Sequence, residues 1–249
     1  VFVTVNTNEV NKSSFKINIK KKNKIVDSYT YELKNRETNS ANRNSFTSKD
    51  IVYLIMPDRF ANGDESNDSK KELTDKANRQ VPDGRHGGDL RGIINNINYI
   101  QDLGATAVWL TPVNEDNQKQ HSYHGYAQTD LYKIDARYGT NEEYRELSRE
   151  LNKRGMMLIQ DYVTNHWGSL HWLIQDLPAA DWIHQFPDGG EKGFKRSNYR
   201  TTAQFDSNVS EIDKKEALDG WFDSTMPDMN QANPLVLKYL TQNAIWWIE

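Results

Sequence analysis

An acid, an amide and a histidine, Asp161, Asn165 and His166, stand where an apolar run beginning at Met156 gives out near Val163. Met156, Met157, Leu158 and Ile159 form the kind of run that a strand buried on both faces requires. Polar groups gathered at the carboxyl end of such a strand either build a site or merely satisfy a loop. A helix with a clear start signal precedes the run. Thr140 and Glu143 have capping-box spacing, and Tyr144, Leu147 and Leu151 make an apolar stripe that Gly155 ends.

Two further groups of residues carry chemistry. Ser122, Tyr123, His124, Gly125 and Tyr126 follow an apolar segment, with Asp130 four residues beyond. Tyrosines and a histidine around a glycine offer a flat face and several hydrogen-bonding groups, which suits a sugar ring; the same tyrosines could simply pack the loop down. Residues 62–68 place side-chain oxygens on Asn62, Asp64, Asn67 and Asp68, the supply a hard cation such as calcium draws from one loop. The glycine and final glutamate do not fit an EF-hand, and an Asn-Gly turn with solvated acids is the alternative. Gly87 and Asp89, about 20 residues on, could add a carbonyl and a carboxylate to the same ion, or form a tight turn before a helix.

The elements that must position these groups show a βα rhythm. Residues 51–56 read as a strand, Ile93, Ile94, Ile97 and Ile100 as a helix face closed by Leu103 and Gly104, and residues 105–110 as the next strand. A helix over 141–154 and a strand over 156–163 follow. Strands alternating with helices of this length predict parallel units whose carboxyl ends share one side. Residues 1–47 instead alternate like β-structure, through Val1, Val3 and Val5, then Phe15, Ile17 and Ile19, then Tyr29, Tyr31 and Leu33. The polar stretch 35–49 reads as a linker. Residues 164–233 lack a sustained period and are too long for an ordinary connection, which predicts an inserted subdomain or functional loop. A helix resumes after Pro234, with Leu237, Leu240, Ala244, Ile245 and Ile248 on one side.

Composition narrows the classes. The chain has 249 residues, 36% apolar and 27% charged, with seven Trp, twelve Tyr and a net charge of −4. Without a basic stripe beyond residues 20–24, nucleic-acid binding is disfavoured, and that lysine run reads as a solvated turn or strand edge. No cysteine is present, so no disulfide framework exists. No stretch approaches the roughly 18 apolar residues of a membrane span.

Gly104-Ala105-Thr106-Ala107-Val108-Trp109-Leu110-Thr111-Pro112, then Tyr123-His124-Gly125-Tyr126 with Asp130, then Asp161-Tyr162-Val163-Thr164-Asn165-His166, resemble three consecutive signatures of the α-amylase family of glycoside hydrolases. Met226-Pro227-Asp228-Met229-Asn230 resembles the marker of the domain inserted after the third strand, in the form of the neopullulanase and cyclomaltodextrinase branch, with the closest likeness to the Bacteroidetes starch-utilisation type. The likeness runs from about Asp50 to Glu249. It implies a (β/α)8 TIM barrel of which residues 48–163 hold the first three units, an inserted domain at 164–233, a barrel helix at 234–249, and in residues 1–47 the end of an N-terminal β-sandwich.

The resemblance implies roles as well. Tyr126 matches the tyrosine that stacks on the sugar beside the scissile bond, and His166 the histidine that hydrogen-bonds that sugar. Asp161 matches an aspartate that orders the site without attacking, and His124 a sugar contact or its support. Asn62, Asp64, Asn67, Asp68, Gly87 and Asp89 match a calcium loop. Hydrolysis with retention needs two carboxyl groups about 5 Å apart. In the family these follow the fourth and fifth strands, and this sequence ends before a fourth strand, so the pair is expected further downstream and the 249 residues alone should be inactive. The expected partners are starch-derived α-glucans such as pullulan, cyclodextrins and maltooligosaccharides, the remainder of the same barrel, and a second copy in a homodimer. An extracytoplasmic or periplasmic address is implied. A non-catalytic glucan-binding protein and a sibling transglycosylase or isomerase are the rival readings.

Overall fold

Lys22 and Asn23 both take positive φ, 47° and 63°, and turn the chain between two antiparallel strands. These are β1 (Ser14–Lys21) and β2 (Lys24–Glu32), joined by the two-residue turn type whose twist suits a hairpin. The basic run at 20–24 is therefore a turn, as its composition suggests. Phe15 faces Tyr31 with ring centroids 5.3 Å apart, and Ile17 faces Tyr29. The computed structural model describes residues 5–6, 14–36, 38–43, 45–187 and 195–249. Val1 and Val3 of the first expected strand lie outside the described residues, and Val5 is in no strand. This hairpin belongs to a compact unit of residues 1–44 and 249, and residues 45–248 form a second one.

The second unit is built on a parallel sheet. β3 (Val52–Ile55) leads into α1 (Pro57–Phe60), and the connection returns through α2 (Leu90–Asn95) and α3 (Ile97–Asp102) to β4 (Ala107–Leu110). A short antiparallel pair follows, β5 (Asn114–Glu115) with β6 (Asp130–Ile134). Next, α4 (Asn141–Asn152) crosses to β7 (Met157–Gln160). The sheet order is β3-β4-β7, both pairings parallel. All three strands are shorter than the apolar runs that encode them, so Asp161 falls one residue past the sheet.

Local chemistry explains the helices. Asp89 caps α2 by accepting from the Gly92 amide at 2.6 Å. The single helix expected around residues 93–103 is instead two, because Asn96 (φ −111°, ψ 15°) breaks the ladder and its side-chain amide donates to the Gly92 carbonyl at 2.8 Å. Thr140 and Glu143 complete the capping box of α4, and Tyr144, Leu147 and Leu151 are its buried face. That face meets Leu90, Ile93, Ile97, Ile100, Val108 and Leu110 in one core.

A second core gathers Leu131, Trp167, Trp182, Ile183, Met229, Val236 and Leu240. It joins the segment after β7 to the last helix. Between them lie α5 (Trp172–Gln175) and α6 (Glu211–Asp219). In α7 (Pro234–Ile248) the buried residues are Val236, Leu240 and Asn243, while Leu237, Ile245 and Ile248 are exposed. Of the apolar side expected from sequence, Leu237, Ile245 and Ile248 are thus turned outward, Ala244 is half-buried and Leu240 is buried. Polar anchoring decides the rotation: Asn243 Nδ2 and Trp247 Nε1 both donate to the Leu131 carbonyl, at 3.1 and 2.7 Å. Among the described residues no helix is long and apolar enough to cross a membrane.

Candidate functional site

The pairing of Leu110 with Gln160 sets the tips of β4 and β7 side by side. From these tips Trp109 and Asp161 meet, the indole N–H donating to Asp161 Oδ2 at 3.3 Å. Tyr126 reaches the same oxygen from the loop after β5, its hydroxyl donating at 3.0 Å. Burial and the neighbouring Asp161 carboxylate push the Tyr126 phenol up to about 12, so it stays a donor at any working pH.

The Tyr126 loop is held by Asp75, Arg85 and Asp116, of which Arg85 and Asp116 are buried. Asp75 accepts from the Ser122 amide and hydroxyl at 3.1 and 2.9 Å, and Arg85 donates to the Ser122 carbonyl at 3.1 Å. Asp116 accepts from the Ala127 amide on the far side, at 3.2 Å. Gly125 sits between these anchors at φ +77°, and a Cβ there would lie 2.0 Å from the Pro112 carbonyl oxygen. Only glycine fits that turn. His124 then supports Tyr126 directly, its Nδ1 accepting from the Tyr126 amide at 2.9 Å. Desolvation lowers the pKa of His124.

His166 abuts the Tyr126 backbone, and burial holds its imidazole below the usual histidine range. Phe222 stacks on one face of the ring at 5.5 Å and 26°. His166, Asn165 and Phe222 line a cavity of about 330 Å³, together with Ser197, Tyr199 and Arg200. The structure therefore brings Tyr126, Asp161, His124 and His166 into one neighbourhood. Sequence reasoning missed Trp109 as a partner of Asp161, although it lies in a quoted strand. It also missed Phe222, which lies in the aperiodic segment and gives no signal of its own.

The expected cation residues converge elsewhere, after β3. Asn62 Nδ2 donates to Asp68 Oδ1 at 2.7 Å. Gly87, at φ +85°, approaches Asp68 so closely that a Cβ would sit 2.6 Å from its Oδ1. Asp89 receives four donors: Gly63 N and Gly92 N on Oδ1, Asp64 N and Asn67 Nδ2 on Oδ2. Asp64 Oδ1 accepts from the Ser66 amide at 3.0 Å, and the Ser66 hydroxyl, followed by that amide, lowers its pKa. Among the described residues no cluster of three or more His, Cys, Asp or Glu side chains could hold a metal. The donors here are of another kind. Asn62 Oδ1 and Asn67 Oδ1 are buried acceptors without a hydrogen-bond partner, which suits a hard cation taking amide and carbonyl oxygens.

Comparison with known proteins adds an independent line. The profile of the family described as "Alpha amylase, catalytic domain" matches residues 54–249. The cyclomaltodextrinase of Thermoanaerobacter pseudethanolicus is 34% identical over 206 residues, covering 82% of this chain and 33% of that protein. Neopullulanase 2 of Thermoactinomyces vulgaris is 33% identical, covering 80% and 32%. The solved α-amylase of Anoxybacillus superposes with a TM-score of 0.64 at 36% identity, over 80% of this chain and 38% of that one. The chain spans about a third of the length of these relatives.

Proposed function

Since the chain belongs to the α-amylase family of glycoside hydrolases, whose catalytic-domain profile spans residues 54–249, we propose that it is the amino-terminal part of a glycosidase that cleaves α-glucosidic bonds in starch-derived glucans with retention. The fold is that of a (β/α)8 barrel glycosidase. In this reading β3, β4 and β7 are its first three strands, residues 164–233 the inserted domain, and residues 1–47 the end of a β-sandwich. The nucleophile and acid/base lie on sequence beyond Glu249.

One observation carries the proposal: Tyr126, Asp161 and His166 converge beside the tips of two parallel strands, linked by the 3.0 Å bond between Tyr126 and Asp161. Tyr126 presents a ring face to a sugar, and Asp161 fixes the angle of that ring by accepting its hydroxyl proton. His166 adds a neutral imidazole that donates to a sugar hydroxyl. Together they hold the sugar in a set orientation against carboxyl groups supplied by the remainder of the barrel. Cyclodextrins, pullulan and maltooligosaccharides are the substrates of choice, in keeping with relatives named cyclomaltodextrinase and neopullulanase.

The cradle after β3 fits calcium. Asn62, Asn67, Asp68 and the Gly87 carbonyl would hold it, with Asp64 and Asp89 fixing the loop backbone around them. The ion would supply charge that ties the loop after β3 to the segment before α2. A homodimer and an extracytoplasmic address complete the reading, to be checked by light scattering and cell fractionation.

The deciding experiment incubates the full-length protein with maltoheptaose, a cyclodextrin and pullulan, following the first-formed anomer by proton NMR. An initial α-anomer supports the proposal. An initial β-anomer, or glucan binding without any product, overturns it, and the second outcome identifies a binding protein.

A further inference from the structure

The marker residue Asp228 is threaded between the two segments that matter most to His166. Its backbone bridges to His166, the Met229 amide donates to the Asn165 carbonyl at 2.9 Å, and the His184 amide donates to the Asp228 carbonyl at 3.0 Å. Its carboxylate is buried yet doubly engaged. His184 Nδ1 lies 2.7 Å from Asp228 Oδ2; burial raises the pKa of this carboxylate, and His184 and the facing Asn165 side chain oppose the rise. The Asn165 amide nitrogen also lies 3.1 Å from His166 Nδ1. Beyond His184, Asp219 at the end of α6 stands 3.8 Å from its Nε2.

An asparagine side chain presents either its NH2 or its oxygen to a neighbour, and the two choices demand opposite histidine tautomers. A carboxylate removes the choice, because it only accepts. With Asp228 on one N–H, the second N–H of the same NH2 group faces His166 Nδ1, which must then be the unprotonated nitrogen. We propose that Asp228, held by His184, orients the Asn165 amide and thereby fixes His166 as the Nε2–H tautomer, making Asp228 and His184 positioning residues for the sugar-binding imidazole. The consequence for binding rests on the glycosidase reading above. The tautomer itself does not.

Phe222 completes the restraint by stacking on the ring face, so that tautomer and ring plane are both set before a ligand arrives. The proposed chain runs from α6 in the aperiodic segment to the residues that follow β7. Asp228 and His184 thus decide which nitrogen of His166 carries the proton.

The test is nitrogen-15 NMR of the full-length protein labelled at histidine, with the His166 signals assigned by their loss in His166→Gln. The wild-type protein should show an unprotonated Nδ1 and a protonated Nε2 at neutral pH. Asp228→Asn frees the Asn165 amide to turn over and should raise the Nδ1–H population, with about a tenfold fall in kcat/KM for maltooligosaccharides, the scale of one hydrogen bond. His184→Gln keeps a donor toward Asp228 and should preserve the wild-type tautomer, whereas His184→Leu should not. A wild-type His166 protonated at Nδ1 overturns the proposal whatever the variants do. So does a folded Asp228→Asn protein with an unchanged tautomer. A protein that shows these tautomer changes but turns over no glucan leaves the positioning intact and removes the glycosidase reading instead.

Discussion

Tyr126 gives its phenolic proton to Asp161 Oδ2 at 3.0 Å, across 35 residues of chain, and Trp109 gives its indole N–H to the same oxygen. Replacing the phenol alone, with Tyr126→Phe, keeps the ring and removes one donor from Asp161. A fall in kcat/KM of about fivefold is expected, the net worth of a single hydrogen bond. Tyr126→Ala also loses the ring face and should cost two orders of magnitude or more. Combined with Asp161→Asn, the Tyr126→Phe effect should be strongly non-additive, because both changes remove the same contact. Full additivity in that cycle would mean that the bond does not set the ring.

The parallel strands β3, β4 and β7 and the helix α4 behind this contact were legible because their signals are local, whereas the short pair β5 and β6 that carries the Tyr126 loop was not. A buried apolar run, a capping box and a glycine stop each need only a few neighbours to read. Gly155, expected to end α4, takes φ +72° where the chain leaves the helix for β7. The orientation of α7 was not legible, since two donors from Asn243 and Trp247 to one distant carbonyl outweigh the apolar stripe. Trp109, Phe222 and His184 were equally hidden. Each gains meaning only from a partner dozens of residues away, and no period in the sequence links them.

The pH response of the site should follow His166. Burial lowers its folded pKa below the usual histidine value, so the ring charges only under more acid conditions than an exposed histidine. Any loss of kcat/KM that comes from charging His166 must therefore lie on the acid side of that usual value. His166→Gln, which cannot charge, should weaken activity at all pH values and flatten that acid limb. An acid limb of unchanged shape in the variant would assign it to another group.

His171 should make the fold acid-sensitive. It is buried between Trp167 and Trp172, at ring distances of 4.4 and 5.5 Å, and its Nδ1 accepts from the Leu173 amide at 3.0 Å. Desolvation brings its pKa down to about 3, from 6.5 when exposed. The unfolded chain therefore binds the proton first. The contribution is complete above pH 6.5 and is lost as pH falls from 6.5 toward 3, by at most about 1.4 kcal/mol per pH unit. His171→Asn keeps a cap acceptor for Leu173 and does not titrate, so its Tm should depend less on pH between 6.5 and 4. Equal slopes for the two proteins would show that His171 is not the sensitive group.

Calcium should act as a stability ligand through the cradle after β3. Chelation should lower the Tm of the full-length protein. Added calcium should restore it, by about 2.7 kcal/mol of stabilisation at a hundredfold excess over Kd. Gly87→Ala should abolish that calcium-dependent shift, because a Cβ at φ +85° would collide with the Asp68 carboxylate. A Tm indifferent to both chelator and calcium would return residues 62–68 to an ordinary turn.

Gly125 tests whether loop geometry or loop stability matters more to the site. A Cβ there meets the Pro112 carbonyl oxygen at 2.0 Å and must also adopt φ +77°, so Gly125→Ala forces the backbone to move at a cost of about 1–3 kcal/mol. The flanking residues cannot absorb the shift. Ser122 is tied to Asp75 and Arg85, and the Ala127 amide to Asp116. The displacement must then fall on residues 123–126, which include His124 and Tyr126. Activity should drop by tenfold or more while the Tm falls only a few degrees. If the Tm collapses while activity per folded molecule is unchanged, the glycine serves the fold and Tyr126 tolerates the shift.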